Sequence, residues 1–194
     1  MVAVGILALQ GDFDRHARAI QALGQRSILV RAQEHLSQCD GLIIPGGEST
    51  TLIKLLKEHA MWDALSAFAA TRPIYGTCAG CILVANSIVG MDQDSLKLID
   101  IDVQRNAYGR QVDSFIDDIT IQLNGKAEKM EGVFIRAPKI RRLGVTVTPL
   151  GWHGSDVILA EQDRVLVGTF HPELTDDRRV HDYFLRKIKA NQTR

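Results

Sequence analysis

Pro73-Ile74-Tyr75-Gly76-Thr77-Cys78-Ala79-Gly80 is the stretch whose reading decides the fold. A short apolar run meets a cysteine set between two glycines, and small and apolar residues from Ala79 to Ala85 continue in a helical pattern. This is a strand running through a sharp turn into a helix. The flanking glycines permit a strained backbone and leave the thiol exposed at the turn.

Toward the N-terminus the same alternation repeats. Val2 to Leu9 is a continuous apolar run, the pattern of a parallel strand buried on both faces. Gln10-Gly11-Asp12 turns into a helix with apolar Phe13, Ala17, Ile20 and Leu23 on one face, closed by Gly24. Ser27 to Val30 and Gly41 to Ile44 read as further strands. After the loop Pro45-Gly46-Gly47, Ser49 is positioned to cap a helix carrying Leu52, Leu55 and Leu56. Another helix is expected over Trp62 to Ala70. Strands alternating with helices predict an α/β fold, a doubly wound, mostly parallel sheet of flavodoxin-like type with helices on both faces.

Toward the C-terminus the pattern changes. Leu98 to Val103, Ile119 to Leu123, Val133 to Ile135, Val145 to Val147, Val157 to Ala160 and Val165 to Thr169 are short strand-like runs separated by turns such as Asn124-Gly125. They are expected as short antiparallel additions to the main sheet, because no Pro/Ser-rich linker marks a second domain. The chain reads as one domain over residues 1–194. A last helix is expected with Thr175 as cap, Asp176 and Asp177 in the first turn, and Val180, Phe184 and Ile188 as its apolar stripe.

Composition excludes several classes of function. Lys+Arg and Asp+Glu both number 23, so the formal net charge is zero, which argues against a phosphate-backbone binder and hence against a nucleic-acid partner. Arg141-Arg142 and Arg178-Arg179 read as solvated surface pairs. Three cysteines fit a reducing compartment. The N-terminus has no basic segment before an apolar one, and no apolar run approaches the ~18 residues of a membrane span. The expected location is cytoplasmic, with no membrane association.

Cys78 draws its interest from position. At a helix N-terminus the unpaired N–H groups and the macrodipole favour the thiolate, the nucleophilic form. His171 and Glu173 follow the strand-like run Val165 to Phe170, and residues i and i+2 of an extended chain share a face. One face can then offer an imidazole base and the carboxylate that orients it, completing a triad with Cys78. Cys78-Ala79-Gly80-Cys81 is also a C-x-x-C, the spacing of a thiol-disulfide exchanger. A dithiol exchanger has no need of His-x-Glu, which favours the nucleophile. No second ligand pair stands at zinc spacing, so no metal is expected. Cys39 precedes a buried strand and reads as core.

Pro45-Gly46-Gly47-Glu48-Ser49 is the second informative loop. It follows a parallel strand and so lies on the same carboxyl edge of the sheet as Cys78, where open α/β sheets bind ligands. Consecutive glycines let backbone N–H groups turn toward a ligand. The N–H groups of Gly47 and Ala79 are candidates for an oxyanion hole around a carbonyl attacked by Cys78.

These segments together resemble the class I, triad-type glutamine amidotransferases. Within that class the chain is most similar to the glutaminase subunits of pyridoxal 5′-phosphate synthase. The resemblance is carried by Leu9-Gln10-Gly11, Pro45 to Thr51, Gly76 to Gly80, Arg105-Asn106-Ala107-Tyr108-Gly109-Arg110-Gln111, Phe134-Ile135-Arg136-Ala137-Pro138 and His171-Pro172-Glu173-Leu174-Thr175. Cys81 departs from the family, which more often has an aliphatic residue there. The resemblance implies Cys78 as nucleophile, His171 as base then acid, and Glu173 as the group holding His171. It implies an L-glutamine site lined by Gly47, Glu48 and Ser49 on one side and Arg105, Ile135 and Arg136 on the other, with Asn106 and Tyr108 shaping the loop. Both arginines could pair bidentately with the substrate's α-carboxylate, or could serve in structural ion pairs. No cofactor is implied. The implied partner is a separate synthase chain, a (β/α)₈ barrel in a multimeric ring, which receives the ammonia and makes pyridoxal 5′-phosphate. Three readings remain at this level: the glutaminase subunit, a thiol-disulfide exchanger using Cys78 and Cys81, and a non-catalytic regulatory module on the same fold.

Overall fold

The computed structural model describes residues 1–107 and 114–193, so Tyr108, Gly109, Arg110 and Gln111 lie outside the described residues. The first half alternates as its apolar pattern requires: β1 (Ala3–Leu7), α1 (Phe13–Ala22), β2 (Arg26–Val30), a 3₁₀ turn (Gln33–Gln38), β3 (Gly41–Ile44), α2 (Ser49–Glu58), α3 (Trp62–Ala69), β4 (Ile74–Thr77) and α4 (Ala79–Val84). The second half is strand-rich: β5 (Ala85–Ile88), β6 (Ile99–Gln104), β7 (Ser114–Ile121), β8 (Glu128–Ile135), β9 (Lys139–Leu143), β10 (Thr148–His153), β11 (Asp156–Gln162) and β12 (Val165–Gly168). A 3₁₀ turn (Pro172–Leu174) and α5 (Arg179–Gln192) end it.

Nine strands form one sheet in the order β2-β1-β3-β4-β12-β11-β10-β7-β8. The five from β2 to β12 run parallel, and the rest pair antiparallel. Side-chain alternation along each parallel strand feeds two apolar layers. Leu42, Ile44, Ile74, Val165 and Val167 face the layer that includes Leu52 and Leu56 of α2, Leu65 of α3 and Leu83 of α4. Ile43, Tyr75 and Leu166 face the opposite layer with Ala17 and Ile20 of α1 and Val180, Phe184 and Ile188 of α5. This is the doubly wound arrangement, and it brings α1 and α5 together on one face. No helix among the described residues is long and apolar enough to cross a membrane.

The strand-like runs do not all join the main sheet. β5, β6 and β9 form a separate three-stranded sheet, so Ala85 starts a strand instead of ending α4, and Leu98 to Val103 pairs outside the nine strands. Val145 to Val147 is not a strand: Val145 is fully exposed, and Val147 N–H donates to Gly144 O at 3.0 Å, closing a turn between β9 and β10. A side chain on Gly144 would collide with the Asp100 carboxylate, so the turn is fixed by close approach to β6, which overrides the β propensity of valine.

Two helix caps also differ from expectation. Ser49 is the first buried residue of α2, and the cap is Glu48, whose carboxylate accepts from Thr50 N–H at 3.2 Å and Thr51 N–H at 2.7 Å. A carboxylate with a longer reach saturates the first turn more completely than a serine hydroxyl. α5 starts later than Thr175 suggests. Thr175 Oγ1 donates to Pro172 O at 3.2 Å and accepts from Asp177 N–H at 3.2 Å, which keeps Asp176 and Asp177 ahead of the helix. Asp177 then accepts from Arg179 N–H at 3.0 Å.

Candidate active site

Cys78 stands between β4 and α4 with φ 49° and ψ −104°, a left-handed backbone unusual for a side-chain-bearing residue. Its N–H donates to Gly168 O of β12 at 2.8 Å, so the neighbouring parallel strand holds the turn in place. A side chain on Gly80 would strike the Ile44 carbonyl, and one on Gly76 would strike the Gly80 backbone. The two glycines are therefore needed for close approach. The strain is concentrated on Cys78, whose sulfur lies 3.8 Å from the Ile135 carbonyl.

His171 and Glu173 follow β12, but not as residues of an extended strand. β12 ends at Gly168, and His171 precedes the 3₁₀ turn that carries Glu173. The turn, stiffened by Pro172, directs His171 Nδ1 to Glu173 Oε1 at 2.7 Å. Both side chains are buried. Burial disfavours charge on each, yet the pair overcomes it. On His171, the neighbouring Cys78 and the hydrogen-bonded Glu173 carboxylate outweigh desolvation and raise the pKa to about 10. On Glu173, His16 and His171 outweigh desolvation and hold the pKa near 2. His171 Nε2 has no hydrogen bond of ordinary alignment among the described residues, while Cys78 is close enough to act on the charge of the imidazole. A methyl group at Gly46 would overlap His171 Cε1 and crowd the Cys78 Cβ, so the loop after β3 touches both residues.

A cleft of about 220 Å³ opens at this carboxyl edge, lined by Gly46, Gly47, Glu48, Ser49, Cys78, Arg105, Ile135, Arg136 and His171 with Gly11, Asp12, Ile82 and Asn106. All the residues expected to line it are present. Glu173 and Ala79 lie behind it, Glu173 beneath His171 and Ala79 fully buried in the first turn of α4. Arg136 is exposed with φ 42°. Arg105 is engaged: Nη2 lies 2.7 Å from Glu48 Oε1 and Nη1 donates to Gln93 Oε1 at 2.8 Å. Burial works against the Glu48 carboxylate, but the hydrogen bonds from Thr50 and Thr51 hold its pKa near 2.

Cys81 is fully buried in α4, where burial drives its thiol pKa far up, so it is neither accessible nor a thiolate. The three cysteines are free. Cys39 is core, as expected, with its sulfur 3.3 Å from His35 O.

Three contributors were not read from the sequence in these roles. Gln10 holds the loop after β3: its Oε1 accepts from Glu48 N–H at 3.1 Å, and a side chain on Gly47 would strike the Gln10 amide. His16 and His181 lie fully buried behind the triad. A signal for them existed, since His16 precedes Ile20 by one helical turn and His181 precedes Phe184 and Leu185 likewise, placing each imidazole on an apolar stripe.

A model of the SNO glutamine amidotransferase family matches residues 6–190. The pyridoxal 5′-phosphate synthase subunit PdxT of Solibacter usitatus is 47% identical over 192 residues, covering 97% of this chain and 100% of that protein. The subunit of the same name from Halalkalibacterium halodurans is 45% identical over 194 residues, covering 100% of this chain and 98% of its own. A crystal structure of a glutamine amidotransferase superposes with a TM-score of 0.89 at 45% identity, covering 96% of this chain and 98% of that one. The structure of PurLQS from Thermotoga maritima shares the fold at a TM-score of 0.67 and 15% identity, covering 96% of this chain and 99% of the chain it matches.

Proposed function

The chain belongs to the SNO glutamine amidotransferase family, and from that premise we propose that it is the glutaminase subunit of a pyridoxal 5′-phosphate synthase, hydrolysing L-glutamine through Cys78, His171 and Glu173. The observation that carries the reading is the strained Cys78 turn sharing one cleft with His171, itself joined to buried Glu173 at 2.7 Å.

In this reading the Cys78 thiolate attacks the side-chain amide carbon of glutamine, and the oxyanion is held by N–H groups of Gly47 and Ala79. The His171 imidazolium gives its proton to the departing nitrogen, which leaves as ammonia with the γ-glutamyl group on sulfur as a thioester. Water then adds to the thioester as His171 takes its proton. Collapse returns the thiolate and releases glutamate. Glu173 keeps the Nδ1 proton in place and balances the cationic imidazole throughout. The charged end of glutamine suits the Glu48–Arg105 pair, with ammonium toward the carboxylate and carboxylate toward the guanidinium.

Ammonia is a nucleophile only while neutral, so release into water at neutral pH largely wastes it. This supports delivery to a synthase chain, a (β/α)₈ barrel in a multimeric complex, docked over the carboxyl edge of the sheet in the cytoplasm. Burial of Cys81 disfavours the thiol-disulfide exchanger. Mass spectrometry after treatment with a diazo-ketone analogue of glutamine tests the proposal. One covalent adduct on the Cys78 peptide, with loss of glutaminase activity in step, is expected. Modification elsewhere, or full activity after Cys78 is modified, overturns it.

A further inference from the structure

Behind Glu173 the polar side chains continue into the body of the protein. His16 of α1 places Nε2 at 3.3 Å from Glu173 Oε2, and Thr77 Oγ1 of β4 lies 3.3 Å from the same nitrogen. On its other side His16 Nδ1 is 3.0 Å from His181 Nε2 of α5. Both imidazoles are fully buried, with ring centroids 5.2 Å apart. We propose that His16 is a positioning residue of the triad, holding the second oxygen of Glu173 from behind so that the carboxylate stays aimed at His171, with His181 fixing the His16 tautomer. The proposal rests on the reading of Cys78, His171 and Glu173 as the triad.

The proton arrangement follows from the contacts. A bare nitrogen facing a carboxylate oxygen would repel it, so His16 carries its hydrogen on Nε2, toward Glu173. Neutral His16 then has a bare Nδ1, which accepts from His181 Nε2–H. This leaves His181 Nδ1 as a buried acceptor, and that atom has no hydrogen-bond partner among the described residues. The direction is therefore set at both ends: His181 donates to His16, and His171 donates to Glu173 Oε1, while His16 Nε2 stands 3.3 Å from both Thr77 Oγ1 and Glu173 Oε2 and meets the carboxylate as a close polar contact and not as an aligned hydrogen bond.

Neutrality matters as much as direction. Desolvation dominates at both sites, lowering the pKa of His16 and bringing that of His181 to about 3. The other charged or titratable groups facing the pair are Asp12 ahead of α1, Tyr75 on β4, His171 and Glu173 at the 3₁₀ turn, and Asp177 and Arg178 ahead of α5. A cationic His16 would neutralise Glu173 from behind and weaken its support of the imidazolium. A neutral imidazole in 3.3 Å contact with Glu173 Oε2 limits where the carboxylate can turn and leaves its charge to His171.

Packing alone does not account for these residues. An apolar pair would fill the α1–α5 contact without leaving His181 Nδ1 buried and unpartnered among the described residues, which carries a desolvation cost. The polar cluster is sited where it meets the one catalytic oxygen that His171 does not use.

The test measures glutaminase kinetics with the synthase subunit present, and the pH dependence of Cys78 alkylation by iodoacetamide in the full chain, read by peptide mass spectrometry. His16→Leu should lower kcat by about 10- to 100-fold with KM for glutamine unchanged, and should move the alkylation midpoint to higher pH, since a misaimed Glu173 supports the imidazolium less well. His16→Gln, whose amide N–H can reach Glu173, should restore most of kcat and the original midpoint. Wild-type kcat and midpoint in His16→Leu, even with a lowered Tm, overturn the proposal. Should His16→Leu not fold, His181→Phe, which removes the donor to His16, must show the shifted midpoint, and a wild-type profile there overturns it equally. An active Cys78→Ala overturns the triad reading and this proposal with it. An inactive Cys78→Ala beside a fully active His16→Leu overturns this proposal alone.

Discussion

Glu48 Oε1 meets Arg105 Nη2 at 2.7 Å, so two residues that the family resemblance implies for the glutamine site hold each other across the cleft. Each is anchored separately as well, Glu48 by the first turn of α2 and Arg105 by Gln93. A substrate zwitterion would meet a prearranged pair of opposite charges.

Arg105 serves two acceptors with its fork, which a lysine ammonium on a flexible stem cannot reproduce. Arg105→Lys should raise KM for glutamine about tenfold with kcat changed less than about threefold. Steady-state kinetics with the synthase subunit present check this, and an unchanged KM would assign Arg105 to the ion pair with Glu48 alone.

Glu173→Gln should lower kcat by about 10²- to 10⁴-fold, because the amide can neither balance the imidazolium nor enforce its tautomer. Its stability cost should depend on pH. Glu173 is held near 2 against an ordinary 4.5, so its contribution is complete above 4.5 and is lost as pH falls through 2. His171 is held near 10 against 6.5, so its contribution is complete below 6.5 and is lost as pH rises through 10. The Tm difference between wild type and Glu173→Gln should therefore be largest between pH 4.5 and 6.5 and should narrow on either side. A difference that grows toward pH 9 would contradict the ion-pair account.

Cys78 and Cys81 should separate cleanly. Cys78→Ala is expected to lose activity on the order of 10⁴-fold or more while still binding glutamine, measured by calorimetry. Cys81 is fully buried, so Cys81→Ala should cost about 1–2 kcal/mol in denaturant unfolding and keep most of kcat. Equal loss of activity in both would return weight to a dithiol mechanism.

Gly46→Ala places a methyl group against His171 Cε1 and the Cys78 Cβ. A displacement near 1 Å at a reacting group costs about 10²-fold, so kcat should fall by that order with the fold retained by circular dichroism. Near-normal turnover would mean that the loop after β3 yields freely.

Gly47 is exposed with φ 143°, a conformation open to glycine, and its peptide sits where the oxyanion is expected. Docking of the synthase subunit can select the orientation that turns an N–H inward. Glutamate production should rise at least tenfold when the synthase is added, and equal rates with and without it would remove the gating role from this loop.

Much of the fold was legible because parallel strands buried on both faces are written as short apolar runs: β1 lies within and β3 matches its expected stretch, and β4 begins where expected at Ile74 and runs on to Thr77. The strand-to-helix turn at Cys78 was legible because so sharp a turn requires small residues on both sides. The pairing of His171 with Glu173 was expected on a wrong ground: a 3₁₀ turn after β12, not an extended strand, brings them together. Glu48 was missed as the cap of α2 because serine is the commoner choice, and the reach of the carboxylate to Thr50 and Thr51 shows only in three dimensions. The separate sheet of β5, β6 and β9 was missed because the partners of short strands lie far apart in sequence.

The sequence alone determined the alternation of buried strands and helices and the strained turn at Cys78, since each is set by local periodicity or glycine placement. The tertiary structure alone decided that Arg105 pairs with Glu48, that Gln10 clasps the glycine loop, and that His16 and His181 meet behind Glu173. Those contacts join side chains far apart in the chain. They exist because the doubly wound sheet packs α1 against α5 on one face and gathers the loops at one edge, and no local rule of spacing encodes that meeting.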